Sequence, residues 1–279
     1  MIEAPEARVI AAQITETLQG RTVTDVIVNT TPHKFAFFHG DPNRYATLLT
    51  GRIIEGAVAV GGMVQINYSG GVRFVLADGS RPRHIAPGGK LPQKHQLLIS
   101  FDDESCLVFC VQMYGMLWAA AADDDLTHDY YLTALERPNL YSESFTEDYF
   151  NKLASDPALQ KKSVKALLAT EQRIPGLGNG VLQDMLLTAG IHPKRKISTL
   201  SPNDISRLYR AVRQTADEML RLGGRDTEND IFGNKGGYVT RLGAKALGEF
   251  CPVCGVGPVR REAYLGGNIY YCPECQPLP

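Results

Sequence analysis

The first residues of the chain carry apolar and polar positions at helical spacing. The apolar positions are Val9, Ile10, Ile14 and Leu18. Pro5 suits the first turn of a helix, and the acidic residues Glu3 and Glu6 suit its positive end. Because Gly20 ends the apolar spacing, the pattern predicts one N-terminal helix that stops there.

Residues 21–121 have the pattern of strands. Apolar and polar residues alternate over 21–30, and two longer apolar segments, 51–79 and 95–121, are interrupted by glycine and aspartate. Such runs, separated by turn residues, are typical of antiparallel sheets. We therefore expect an antiparallel β-sandwich with flanking helices over residues 1–122.

The period changes to helical in the second half of the chain. Residues 123–144 are acidic and rich in turn formers, which predicts a linker before a helical domain at 145–222. A glycine-rich loop at 223–245 and short strands at 246–279 follow. The helical apolar positions are Val164, Leu167, Leu168, Val181, Leu182, Met185, Leu186, Ile205, Leu208, Tyr209 and Val212.

The composition is that of a globular protein, with 44% hydrophobic residues in 279. The sequence has no apolar stretch near 18 residues and no basic segment followed by an apolar run. We therefore expect a cytoplasmic protein with neither a membrane span nor a secretory signal.

The net charge of −1 is the sum of two halves of the chain whose net charges have opposite signs. Residues 1–150 carry 11 basic and 18 acidic side chains, a net charge of −7, whereas residues 151–279 carry 18 and 12, a net charge of +6. This asymmetry favours a polyanionic partner for the second half. A solvated charged face on a helical domain is the alternative.

Four of the six cysteines form two CxxC pairs near the C-terminus. They are Cys251, Cys254, Cys272 and Cys275. Each CxxC turn directs two thiolates to one ion, so the spacing predicts one structural Zn²⁺ bound by four cysteines. Four free cysteines in a reducing compartment are the alternative, but such a small glycine-rich segment has too little core to fold alone.

The segment "RIPGLGNGVLQDMLLTAGIHPKRKISTLS" combines a glycine-rich turn with a basic cluster. Pro175 interrupts one helix, Asn179 begins the next, and Lys194 and Arg195 lie just beyond it. Backbone N–H groups at such a turn suit a phosphate, which indicates a grip on a nucleic-acid backbone. An ordinary helix connection with Asn179 as its cap is the alternative.

Three motifs in order resemble the formamidopyrimidine-DNA glycosylase/endonuclease VIII family. "MIEAPEA" resembles the family N-terminus, "KKSVKALLATEQRIPGLGNGVLQDMLLTAGIHP" its helix–two-turn–helix segment, and "YYCPECQ" the end of its zinc finger. The resemblance implies a two-lobed α+β monomer that binds damaged double-stranded DNA between its lobes and excises a flipped base.

The resemblance also implies roles for individual residues. Glu3 matches the carboxylate that transfers a proton at the sugar, and Glu6 matches the acidic residue beneath it. Asn179 matches the phosphate-binding asparagine, Lys165 lies in the basic helix, and Tyr114 stands where an aromatic wedge fills the gap left by the flipped base.

The chain departs from the family pattern at the positions that carry its amine chemistry. Ile2 replaces the proline whose free amine forms a Schiff base, and a bulky second residue usually prevents removal of Met1. Met63 replaces a phosphate-gripping lysine, and Gly267 replaces the zinc-finger arginine. Gln112 and Met113 stand in place of a basic pair.

Three functions therefore stay open at this point. The first is a glycosylase that removes an oxidised base by hydrolysis with weak or absent strand cleavage. The second is a non-catalytic binder of damaged or distorted DNA or RNA, and the third is a different hydrolytic reaction of Glu3 and Glu6. The loop at 223–241 has the composition of either a substrate pocket or a self-capped loop held by Asx turns.

Overall fold

A computed structural model describes residues 1–124 and 126–278. The chain forms two compact units, Met1–Leu132 with Leu222–Gly237 and Thr133–Arg221 with Tyr238–Pro279. The predicted linker and the predicted zinc finger each contain one position, 125 and 279, outside the described residues.

The first unit begins with helix α1, Ala4–Leu18, as the sequence predicts. Glu3 caps it: its side chain accepts the backbone N–H of Glu6, while the Glu6 carboxylate accepts the backbone N–H of Glu3 at 3.2 Å. This reciprocal pair satisfies two donors that a helix start leaves unpaired. The buried face of α1, with Ile10 and Ile14, packs into the core of the unit.

Seven strands of the first unit form one sheet. The strands are β1 (Val23–Val28), β2 (Ala36–His39), β3 (Ile54–Val60), β4 (Met63–Tyr68), β5 (Arg73–Ile85), β6 (Leu97–Phe101) and β7 (Cys106–Ala120), and helix α2 is Arg44–Leu49. The strand order is β1-β6-β7-β5-β4-β3, and β2 pairs with β7 outside this path. The expected antiparallel pairing holds except at β2, which lies parallel to β7.

The long strands β5 and β7 run through both layers of the predicted sandwich. Their register shifts between Asp78 and Ser80. On one side of this shift they pair with β4 and β2, and on the other side with β6. Phe74 and Phe109, from opposite sides, meet in the core with their ring centroids 5.1 Å apart. The core thus lies between two halves of one bent sheet.

The segment 123–144, which we predicted to be a linker, contains helix α3, Asp129–Glu136. The ring of Tyr131 in this helix lies 6.2 Å from that of Trp118 on the sheet, and its hydroxyl bonds to Gln65. These contacts stabilise a helix that the acidic composition of the segment did not reveal.

The second unit is helical with a C-terminal hairpin, as the pattern predicts. Its core includes Leu167, Leu182, Met185 and Val212, all fully or almost fully buried. The helices are α4 (Glu147–Ala154), α5 (Val164–Ala169), α6 (Asn179–Ala189) and α7 (Pro202–Arg221), and the hairpin strands are β8 (Arg260–Tyr264) and β9 (Gly267–Tyr271).

Among the helices of residues 1–124 and 126–278, none has the length and apolar character needed to cross a membrane.

Candidate functional site

Glu3 and Glu6 lie buried at the start of α1, and a single arginine pairs with both. Arg225 forms a bidentate ion pair with Glu6. Its Nε donates to Oε1 of Glu6 at 2.8 Å, and its Nη2 donates to Oε2 at 2.7 Å. Its Nη1 lies 3.6 Å from a Glu3 oxygen. All three residues are at most 4% exposed, so the pairing takes place away from bulk water.

The buried arginine sets the charge state of this site. Burial alone would raise the pKa of Glu6, but the charge and hydrogen bonds of Arg225 outweigh it and lower that pKa. Burial opposes the charge of Arg225 as well, yet the two carboxylates raise its pKa further above its ordinary value. Glu6 is therefore an ionised carboxylate fixed in place, and it has no proton to give.

The N-terminus is held by two contacts that the sequence did not suggest. The Met1 amine forms an ion pair with Oε1 of Glu228 at 2.7 Å. The backbone N–H of Ile2 donates to the carbonyl of Asp78 at 3.0 Å, and the Ile2 side chain is 7% exposed. The Ile2 nitrogen is a peptide nitrogen and therefore not a nucleophile, and the Met1 nitrogen is held by Glu228.

Asp78 brings a third carboxyl group to the site. Its φ of 57° lies in the left-handed region, which is unusual for a residue with a side chain. Burial raises the pKa of Asp78, although His128 and the N-terminal ammonium partly oppose this. Tyr114 lies beside it, with its hydroxyl 3.8 Å from the sulfur of Met1. Sequence reasoning named Tyr114 but missed Asp78.

The loop after α7 is capped by its own side chains. The Asp230 carboxylate accepts the backbone N–H groups of Phe232 at 2.9 Å and Asn234 at 2.8 Å, an Asx arrangement. It also accepts the Gln13 side chain of α1 at 3.0 Å. This supports the self-capped interpretation of the loop. Pocket lining by the segment 223–245 stays a prediction.

In the second unit the four cysteines of the two CxxC pairs converge. All four sulfur atoms lie within 4.8 Å of one another. Cys251 and Cys275 are 3.8 Å apart, and Cys254 and Cys272 are 3.7 Å apart. A tetrahedral zinc site with Zn–S bonds of about 2.3 Å has sulfur atoms about 3.8 Å apart. The donors and their spacing therefore fit a metal ion.

Asn179 and Lys165 meet next to the hairpin. The Asn179 side-chain N–H group donates to the carbonyl of Asn268 at 2.8 Å, and the Lys165 ammonium donates to the carbonyl of Tyr264 at 2.6 Å. A Cβ built on Gly267 would lie 3.5 Å from Nδ2 of Asn179 and 3.7 Å from Nζ of Lys165. The structure thus brings together three positions that the sequence analysis compared with family residues: the phosphate-binding asparagine, a lysine of the basic helix and the zinc-finger arginine.

Burial also affects the chemistry of this cluster. It lowers the pKa of Lys165. The Oδ1 atom of Asn179 is buried without a hydrogen-bond partner among the described residues. Since one of the two amide N–H groups of Asn179 bonds to Asn268, the other remains available as a donor.

Lys194 and Arg195 are engaged within the unit. Lys194 forms an ion pair with Glu262 of β8, and Arg195 pairs with Asp204 at 2.8 Å and donates to the carbonyl of Thr199 at 2.9 Å. Their charges are thus partly neutralised, which charge counting along the sequence could not reveal. Their contact with DNA stays a prediction.

Comparisons of the sequence and of the structure with known proteins point to the same protein family. Residues 137–230 match the "Formamidopyrimidine-DNA glycosylase H2TH domain". The formamidopyrimidine-DNA glycosylase of Symbiobacterium thermophilum is 27% identical over 287 residues, which span 100% of this chain and 90% of that protein. Residues 137–230 thus match a domain of the formamidopyrimidine-DNA glycosylases, and the whole chain is similar to proteins of that name. The sequence-based family assignment is confirmed.

Other relatives differ in how much of their length aligns with this chain. The formamidopyrimidine-DNA glycosylase of Thermosynechococcus vestitus is 30% identical over 170 residues, which span 59% of this chain and 58% of that protein. The Fpg (MutM) crystal structure from Thermus thermophilus covers 99% of both chains with a TM-score of 0.82 at 24% identity. A Lactococcus lactis Fpg complex with abasic-site DNA has a TM-score of 0.84 at 20% identity, also over 99% of both chains. These structures confirm the predicted α+β fold class.

Proposed function

We propose that this family member binds damaged double-stranded DNA and removes an oxidised base by hydrolysis, without amine-dependent strand cleavage. The observation that carries the proposal is the N-terminus: the Met1 amine is ion-paired with Glu228, and the Ile2 nitrogen is bonded to Asp78. A Schiff base needs a free amine at the sugar. Hydrolysis needs only water and a suitable carboxylate.

The proposed DNA partner rests on the second unit and on the relatives. The Lactococcus lactis Fpg structure holds DNA with an abasic site. In this chain, Asn179 at the start of α6 and the neighbouring Lys165 offer a phosphate an amide donor and a positive charge. Such contacts position the duplex without reading its sequence, while the lesion is read after the base leaves the stack.

In the proposed reaction, Glu3 acts at the sugar. Its carboxylate would stabilise positive charge on the sugar ring as the bond between C1′ and the base nitrogen breaks. Water then forms the new bond to C1′, and its proton is transferred to the departing base. Glu6 is a positioning residue, because its bonds to Arg225 and to the Glu3 backbone fix the start of α1.

We further propose that the cysteine cluster binds one structural Zn²⁺ and that the protein works as a cytoplasmic monomer. Four thiolates leave no open position on zinc, so the ion would hold the hairpin rather than take part in base removal. Hydrogen bonds from the backbone N–H groups of Gly257 and Val256 lower the pKa of the Cys254 thiol to about 6, which favours a thiolate ligand.

Three variants test the proposal on duplexes that carry single oxidised bases. Glu3→Gln should abolish base release and retain DNA affinity, whereas Asn179→Ala and Lys165→Ala should each weaken binding about 10-fold. A protein that binds damaged DNA tightly but releases no base from any duplex would instead be a non-catalytic binder. If Glu3→Gln affects another hydrolysis while every damaged base stays in place, base excision is the wrong reaction.

A further inference from the structure

Asp78 lies at an irregular point of the sheet. The pairing of β5 with β7 shifts its register between Asp78 and Ser80, and Asp78 itself has a φ of 57°. Gly79 fixes this bulge, because a Cβ built on it would clash with the carbonyl oxygen of Tyr114. Bulges redirect a side chain away from the regular alternation of a strand and are common next to active sites. The backbone of β5 therefore departs from regular geometry at the residue that adjoins the N-terminus.

The bulge brings Asp78 close to the glutamate that we place at the sugar. The Ile2 N–H donates to the Asp78 carbonyl at 3.0 Å, and Glu3 is the next residue along the chain. Tyr114 faces both acidic side chains, since the charges of Asp78 and Glu3 raise the pKa of its hydroxyl after the larger effect of burial. Two carboxylates, Asp78 and Glu3, thus border the same place.

A small enclosed cavity lies between Asp78 and the N-terminus. Its volume is about 10 Å³, which is room for a single water molecule. Met1, Ile2, Asp78, Glu228 and Asn229 are among the residues that line it. An ordered water needs at least two polar partners, and the polar residues of this wall supply them. The cavity therefore suits a water molecule held next to Asp78.

Asp78 differs from the other carboxylates of the site because no cation is bound to it. Both N-terminal glutamates pair with Arg225, and Glu228 pairs with the Met1 amine. In the part of the chain that the structure describes, the Asp78 carboxylate forms neither a hydrogen bond nor an ion pair. A bound cation favours the charged form of a carboxylate and so makes it a poor proton acceptor. Asp78 is free of this restraint.

The surroundings of Asp78 also suit a base. Burial raises the pKa of its carboxyl group, and the positive charges of His128 and of the N-terminal ammonium only partly oppose this. A general base is most effective when its pKa approaches the pH of the reaction, so the raised pKa favours proton transfer from water. The two cations favour the ionised form that a base requires.

We propose that Asp78 is a catalytic residue of base removal and acts as the general base on the attacking water. This inference rests on the proposed function and adds a proton acceptor to it. The water oxygen forms a bond to C1′ while Asp78 takes a proton from that water, and the electrons of the bond between C1′ and the base leave with the base. The proton then passes from Asp78 to the departing base nitrogen, and Glu3 stabilises the positive charge on the sugar.

Single-turnover base release separates this chemical step from DNA binding. On a duplex with one oxidised base, Asp78→Asn should slow release roughly 100-fold or more, since general-base catalysis contributes about 10²–10⁴-fold. Its affinity for the same duplex should be unchanged. Asparagine tolerates a left-handed backbone as aspartate does, so the fold should be retained. Mass spectrometry checks that the new amide has not hydrolysed to the acid.

Asp78→Gly provides a readout that a purely structural role would not give. Glycine also adopts a left-handed φ, and the lost side chain leaves space for a small anion. Azide attacks carbon without giving up a proton, so it needs no general base. Added azide should restore base release by Asp78→Gly and leave a sugar with azide on C1′, which mass spectrometry detects. It should not restore release by Glu3→Gln.

The matched control is Asp123→Asn, which changes an exposed aspartate of the same unit and should behave as wild type. Thermal melting of every variant checks that it is folded. Base release by folded Asp78→Asn at the wild-type rate would overturn the inference. Slow release by Asp78→Gly that azide does not restore would also overturn it, because Asp78 would then be a structural residue. Failure of the proposed function looks different: the wild-type protein itself would release no base from any duplex, and the inference would fall with it.

Discussion

The Met1 amine and the Glu228 carboxylate lie 2.7 Å apart in an ion pair. This contact joins the first residue of the chain to the loop after α7, within one compact unit. The family resemblance implies a free proline amine at the sugar. In this chain the N-terminal nitrogen is instead bound to a carboxylate. This contact is the basis of the proposed hydrolysis without amine attack.

Ile2→Pro should restore amine chemistry. Proline at position 2 permits removal of Met1 and exposes a secondary amine close to the Asp78 carbonyl, where the Ile2 nitrogen lies now. Borohydride should then trap a covalent adduct with abasic-site DNA at least 10-fold faster than with wild type. Mass spectrometry of the N-terminus checks that Met1 is gone.

Ile2→Leu is the control for this variant, since it keeps Met1 and the buried apolar side chain, and it should give no adduct. If Ile2→Pro has an exposed proline amine and still forms no adduct, then another feature of the site excludes amine attack. The ion pair with Glu228 would then not explain the missing chemistry.

Arg225→Met should destabilise the first unit and reverse its response to pH. The change leaves two buried carboxylates without their cation, which costs about 3–5 kcal/mol. In the wild type, Arg225 lowers the pKa of folded Glu6 below its ordinary value of 4.5. The pair therefore stabilises the fold fully above that pH and loses this contribution as the pH falls through the folded pKa.

Without Arg225, burial raises the pKa of Glu6 in the folded state, so the variant should gain stability relative to wild type as the pH is lowered. Urea unfolding between pH 3 and pH 8 measures both curves. Arg21→Met, which removes a surface ion pair with Asp103, should change the unfolding free energy by about 0–1 kcal/mol. Parallel curves for wild type and Arg225→Met would refute the assigned role of Arg225.

Gly267→Arg should strengthen DNA binding. The backbone of Gly267 leaves ordinary van der Waals room for a Cβ next to Asn179 and Lys165, and it has no left-handed φ. One added phosphate contact should raise affinity several-fold and steepen the dependence of log K on log salt concentration by about 1. Gly267→Gln, similar in length but neutral, should leave the salt slope unchanged. The same slope in both variants would place this position away from the DNA backbone.

Cys251→Ser should release the metal and loosen the hairpin. One zinc per wild-type chain is expected in elemental analysis, and none in the variant, because three thiolates no longer close the site. Proteolysis should cut the variant within residues 246–278 first. Cys110→Ser, outside the cluster, should retain zinc. Full zinc content and unchanged protease resistance in Cys251→Ser would contradict a structural role.

Local sequence patterns were enough to predict several structural features. The two CxxC pairs determine which sulfur atoms converge, because each turn brings its own two thiols together. The Glu3 and Glu6 cap depends only on a spacing of three residues. The helix that begins at Asn179 follows a glycine-rich turn and shows a clear helical period.

Contacts between residues that are far apart in the sequence could not be predicted in this way. Arg225 and Glu6 are 219 positions apart, and an ion pair between such positions leaves no periodic signal. The same holds for Lys194 with Glu262, which uses a charge that the sequence analysis assigned to DNA. The parallel pairing of β2 was missed because four residues are too few to show an orientation.

The most direct test of the account measures base release and borohydride trapping side by side with the purified wild-type protein. Duplexes with an oxidised purine, an oxidised pyrimidine or an abasic site serve as substrates, after mass spectrometry confirms that Met1 is retained. The account predicts loss of an oxidised base, an intact strand and no trapped adduct. A covalent adduct at the Met1 amine would contradict it, as would the absence of base release from every substrate.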